Sequence, residues 1–131
     1  MYFNFFNKRN PIADIPMDSK QDFFNVIYEC YYKRAESIVP TEFLKEVAER
    51  ITDFYYEQYS RFRLQYSKSV KRYSSFKMDD LNHPQVYDIV IKYFKEKLGD
   101  NYSNYSSAVL GFSLDELKAF EKRRKEFYDN Y

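Results

Sequence analysis

Residues 41–75 read TEFLKEVAERITDFYYEQYSRFRLQYSKSVKRYSS, a stretch with neither glycine nor proline. Leu44, Val47, Ala48, Ile51, Phe54, Tyr55, Tyr59, Phe62, Tyr66, Val70 and Tyr73 recur at intervals of three and four, which places them on one face of an α-helix. Thr41 is positioned to cap that helix, with Pro40 just outside it. The spacing predicts a long central helix over about 42–75, roughly 50 Å at 1.5 Å per residue. A globule of this chain length is only about 35 to 40 Å across. The helix therefore overhangs its domain or breaks. Ser60, Ser67, Ser69, Ser74 and Ser75, with Leu64 on the polar side, mark a kink near Leu64 as the alternative.

Outward from this stretch the pattern stays helical. Phe23, Phe24, Ile27, Tyr28, Tyr31, Ala35 and Ile38 form an apolar stripe that predicts a helix over 19–39, stopped by Pro40. A third helix opens at Asn82, read with Gln85 as a capping box around Pro84, and stops at Gly99. A fourth opens at the Ser113/Glu116 capping box, with Phe112 and Leu117 placed as a hydrophobic staple and Leu117, Phe120, Phe127, Tyr128 and Tyr131 facing inward. Residues 100–112 read as a polar loop ending in AVLGF, a strand or turn. The expected fold is all-α, four main helices in an irregular bundle. Residues 1–17 form an N-terminal arm and 18–131 a single helical domain.

Composition agrees with that class. The 131 residues include 2 Gly and 4 Pro, too few for a hairpin-rich fold. Lys and Arg total 21 against 20 Asp and Glu, so the net charge does not advertise a polyanionic partner. Cys30 excludes an internal disulfide, no long apolar run predicts a membrane span, and no secretory signal opens the chain, so the expected location is cytoplasmic. Tyr (15) and Phe (13) are abundant without Trp. AT-rich codons account for that enrichment as well as a contact surface does. The same composition suits an accessory, inhibitor or adaptor protein of a low-GC bacterium or phage.

The residues needed for catalysis are scarce. His83 is the single histidine, best read as a first-turn surface residue, and Cys30 sits at the edge of an apolar stripe as a small core residue. Asp79, Asp80 and His83 suit a helix N-terminus better than a metal, and two glycines cannot build a phosphate loop. No catalytic residue, metal site, cofactor or small-molecule substrate is expected, which makes the chain non-enzymatic.

What remains is surface. Glu42, Glu46, Glu49, Asp53 and Glu57 form an acidic stripe; beyond them the sign reverses to Arg61, Arg63, Lys68, Lys71, Arg72 and Lys77. The helix macrodipole explains Lys71 and Arg72 near the end, and Glu57 with Arg61 makes a favourable four-residue pair. Arg61, Lys68 and Arg72 share a stripe beside Tyr66 and Tyr73, the alternative nucleic-acid-binding surface. The favoured function is binding of a protein partner, or dimerisation, through aromatic helix surfaces. Phe62, Tyr66, Val70 and Tyr73 on the overhanging end are its candidate contacts.

Overall fold

The computed structural model describes residues 15–16, 20–66, 75–76 and 81–130, those of 20–57 and 81–130 with their side chains. In chain order the elements are a two-residue strand β1 (Ile15–Pro16), helices α1 (Lys20–Ala35) and α2 (Thr41–Tyr66), and a two-residue strand β2 (Ser75–Phe76). Helix α3 (Pro84–Leu98), a 3-10 turn (Gly99–Asn101), and helices α4 (Ser103–Leu110) and α5 (Leu114–Asp129) follow. The fold is all-α, with a core shared by five helices. The strands make one short antiparallel pairing, Ile15 with Phe76 and Pro16 with Ser75. None of the described helices is long and apolar enough to cross a membrane.

α1 buries Phe23, Ile27, Tyr31 and Ala35, a strict i, i+4 row, against α2, where Leu44, Val47, Ala48 and Ile51 are buried. Ile38, expected on the α1 stripe, lies past the end of the helix and is 53% exposed. Along the flank of α1 the rings of Phe24 and Tyr28 stack in parallel at 5.5 Å, and Tyr32 continues the row at 5.8 Å. α2 is helical for 26 residues, about 39 Å. Its expected end at Ser75 is corrected: Ser75 and Phe76 form β2, paired with β1.

α3 begins one residue later than its sequence suggested. The N-cap is His83 rather than Asn82, its Nδ1 accepting from the Gln85 backbone N–H at 3.1 Å. Pro84 sets this register: proline takes the first helical position and holds the residue before it extended, here at φ −117° and ψ 137°. Gly99 ends the helix at φ 60°, as expected. α3 buries Val86, Val90, Ile91, Tyr93 and Phe94, as many residues as α2 buries among its described side chains, so the sequence's expectation that α3 is the most buried helix is not met: α4 buries half of its residues.

The expected loop over 100–112 is instead a 3-10 turn and an eight-residue helix, α4, which brings the helix count to five. Ser103, Asn104, Ser106 and Ser107 are poor helix formers, so packing must supply the stability: α4 lies against α1, α3 and α5. Val109, Leu110, Ser106 and Ser107 are buried there. The AVLGF run is the end of this helix. Gly111 adopts φ 72°, and the backbone N–H groups of Gly111 and Phe112 both donate to the Ser107 carbonyl. Arg34 of α1 adds a second cap, its Nη1 donating to the Val109 carbonyl at 3.0 Å. The hydroxyls of Tyr31, Ser106 and Ser107 are buried with no hydrogen-bond partner among the described residues.

α5 opens with both halves of the expected capping box. Ser113 N–H donates to Glu116 Oε1 at 2.7 Å, and Glu116 N–H donates to Ser113 Oγ at 3.1 Å. Leu117 and Phe120 are buried, with Phe120 edge-on to Tyr87 at 5.2 Å.

Candidate partner-binding surface

Of the contacts expected from the sequence, Arg61, Phe62 and Tyr66 lie on α2 and outside the residues whose side chains are described. Lys68, Val70, Arg72 and Tyr73 lie outside the described residues altogether. The surface that the described side chains build is on α5 and α3.

Leu117, Phe120, Glu121, Arg124, Phe127 and Tyr128 fall on one side of α5 at about 100° per residue. Neighbouring helices cover only the first part of that stripe. Leu117 is 1% and Phe120 7% exposed, while Phe127 is 46% and Tyr128 58% exposed. Two partly exposed aromatic rings therefore continue a core-facing stripe. The sequence places both facing inward; among the described residues, the helices that bury Leu117 and Phe120 leave this end of α5 partly exposed.

Arg124 holds this end in order. Its Nε donates to Asp88 Oδ1 at 3.2 Å and its Nη2 to Asp88 Oδ2, a two-point grip on α3. The guanidinium lies 5.4 Å from the Phe127 ring centre and 4.9 Å from that of Tyr128, and it donates to the Tyr128 hydroxyl at 2.8 Å. The rings are thus presented by a cation that is itself fixed to the neighbouring helix. The run KRRK at 122–125 is distributed as its spacing implied, with Arg124 inward and Lys122, Arg123 and Lys125 exposed.

Between α3 and α5 runs a groove of about 520 Å³. Ile91 and Phe120 form its apolar floor. Asp88 with Arg124 spans one end, and Lys95 with Glu121, at 3.2 Å, spans the other. The Tyr102 hydroxyl also donates to Glu121, at 2.7 Å, and Lys95 sits 4.9 Å from the Tyr102 ring centre. Burial, then the bond to Glu121, pushes the Tyr102 phenol above its ordinary range.

A matching cluster joins α2 to α3. The Tyr93 hydroxyl donates to Glu46, Lys97 lies 3.5 Å from Glu46, and Arg50 packs 5.0 Å from the Tyr93 ring centre while pairing with Glu96 at 3.0 Å. The expected acidic stripe is therefore partly engaged in the fold, at Glu46 and also at Asp53, which pairs with Lys20 at 2.6 Å. The Tyr93 hydrogen bond, with Lys97 beside it, holds Glu46 below the usual carboxylate range. The unfolded state then takes up this proton first as pH falls. The stabilising contribution of Glu46 is complete above the unfolded carboxylate range, about 4.3, and is lost as pH falls through the folded value. Urea midpoints at about pH 6 and about pH 3 should differ less in Glu46→Gln than in the wild type; equal pH sensitivity would show that the pair carries no linkage.

Other chemistry is sparse among the described residues. Burial raises the half-buried Cys30 thiol, the opposite of what activates a nucleophile. His83 is exposed and spends Nδ1 on its helix cap. No group of three or more His, Cys, Asp or Glu side chains is placed to hold a metal among the described residues. No protein-family model matches the chain, and no curated protein or solved structure matches it either.

Proposed function

We propose that this chain is a non-enzymatic interaction protein that binds a protein partner, or a second copy of itself, through aromatic helix surfaces. The observation that supports the reading is the partly exposed end of the α5 stripe: Phe127 and Tyr128, 46% and 58% exposed, packed against Arg124. Solvent-facing aromatics fixed by their own protein favour association, because little side-chain entropy remains to be lost when a partner covers them. Tyr and Arg are also the residue types that dominate binding energy at protein interfaces. The fit is to an accessory or adaptor role in the cytoplasm, with no cofactor required.

The test is Phe127→Ala combined with Tyr128→Ala. A partner captured from host extract by the wild-type chain, then purified and re-bound, should bind the double variant roughly a hundredfold more weakly, as expected for two interface anchors of about 1.4 kcal/mol each. Helicity should not change, since neither ring is buried. Undiminished affinity, or capture of nucleic acid in place of protein, would count against the reading.

A further inference from the structure

The buried hydroxyls of the described residues are not satisfied alike. Thr52 of α2 donates to the Ala48 carbonyl at 2.7 Å, the usual recourse of a hydroxyl inside a helix. The hydroxyls of Ser106 and Ser107 on α4, and that of the fully buried Tyr31 on α1, have no partner among the described residues. All three belong to one stretch of the α1–α4 contact. Arg34 of α1 reaches the Val109 carbonyl of α4 at 3.0 Å; Tyr31 stands three residues before Arg34, and Ser106 and Ser107 stand three and two residues before Val109. The same stretches otherwise bury Ile27, Ala35, Val109 and Leu110, whose side chains offer no hydrogen bond. A serine hydroxyl that rotates reaches the carbonyl four residues back on its own helix, but a phenol hydroxyl stands at the far end of its ring, beyond its own backbone. Tyr31 therefore needs a partner from outside α1.

We infer that the α1–α4 interface binds an ordered internal water, which bridges the Tyr31 hydroxyl to the serines of α4. Buried hydroxyls are nearly always hydrogen-bonded, to protein or to water, because a dry one forfeits its hydration with nothing in exchange. A water offers two donors and two acceptors, and buried waters ordinarily make about three hydrogen bonds, which suits the hydroxyls of Tyr31, Ser106 and Ser107. The bound molecule gives α4 a polar tie to α1 beside the Arg34 bond. Apolar contact has no direction, whereas this tie does. It selects one rotation of α4 on α1, for a helix whose own serines and asparagine favour it weakly.

A crystal structure of the full chain, at a resolution that shows ordered water, tests the inference directly. Density for a water within hydrogen-bonding distance of Tyr31 Oη and of the Oγ of Ser106 or Ser107 is the expected result. A dry interface overturns it, whether the tyrosine bonds a serine directly or the serines turn to their own carbonyls and leave it alone. Urea unfolding supplies a second reading that needs no crystal. Tyr31→Phe keeps the ring and removes the hydroxyl, so the midpoint should fall. It should fall by less when Ser106→Ala with Ser107→Ala has already removed the other end of the bridge. A dry orphan predicts the reverse, because deleting its hydroxyl relieves a desolvation penalty and raises the midpoint. A midpoint that rises or does not move in Tyr31→Phe overturns the inference, and so does full additivity with the serine changes. A direct tyrosine–serine bond would mimic the fall, and the crystal density separates the two. If the triple variant fails to fold, the sign of the Tyr31→Phe shift together with that density still decides.

Discussion

Phe94→Ala should lower the unfolding free energy by about 3 to 5 kcal/mol, the range for deleting a buried aromatic ring. Phe94 has no exposed surface and lies where α3 meets its neighbours, edge-on to Tyr93 at 5.0 Å and to Tyr105 of α4 at 5.8 Å. Truncation removes the transfer energy of the ring and leaves a cavity whose walls are other large rings, which cannot collapse into it without leaving their rotamers. Domains of this size have roughly 5 to 15 kcal/mol in total, so the variant should sit near the threshold of folding. Urea unfolding followed by circular dichroism measures the loss. Phe94→Leu, which keeps much of the volume, should cost clearly less. A change below about 1 kcal/mol in Phe94→Ala would mean that α3 and α4 do not meet through this ring.

The second large effect belongs to Arg124. Arg124→Ala should cost about 1 to 2 kcal/mol, less than a fully buried pair because the Arg124 and Asp88 side chains keep 19% and 35% of their exposure. The same change removes the cation that packs against Phe127 and Tyr128, so partner affinity should fall although Arg124 itself is mostly covered. A double-mutant cycle with Asp88→Ala separates the pair from the stacking. Coupling of about 0.5 kcal/mol or more identifies a working pair. Hydrogen exchange over the last two turns of α5 should quicken in Arg124→Ala. Unchanged exchange and affinity would show that the rings order themselves without the guanidinium.

The helices that the sequence announced are those with strong local signals. The Ser113/Glu116 capping box and the Gly99 stop both stand as read, because each is specified within a few residues. Asn82 was displaced as cap by His83 because the constraint of Pro84 on its predecessor outweighs the intrinsic capping preference of asparagine. α4 was not legible. Its serines and asparagine argue against a helix, and what overrides them is packing on its neighbours α3 and α5 and on α1 from far along the chain. Gly111 followed by Phe112 was a usable signal, a helix stop with a hydrophobic cap, but it lacked a convincing helix before it. For the surface, the mismatch between stripe length and available cover falls, on α2, beyond the residues whose side chains are described. Applied to α5 it would have separated Phe127 and Tyr128 from Leu117 and Phe120.

The bond from Arg34 to the Val109 carbonyl joins residues 75 positions apart, and it caps a helix that has little propensity to form by itself. α4 therefore leans on α1 as well as on the helices beside it in the chain, so loss of α1 also removes a support of α4, and the early and late helices stand or fall as one cooperative unit rather than as separable halves.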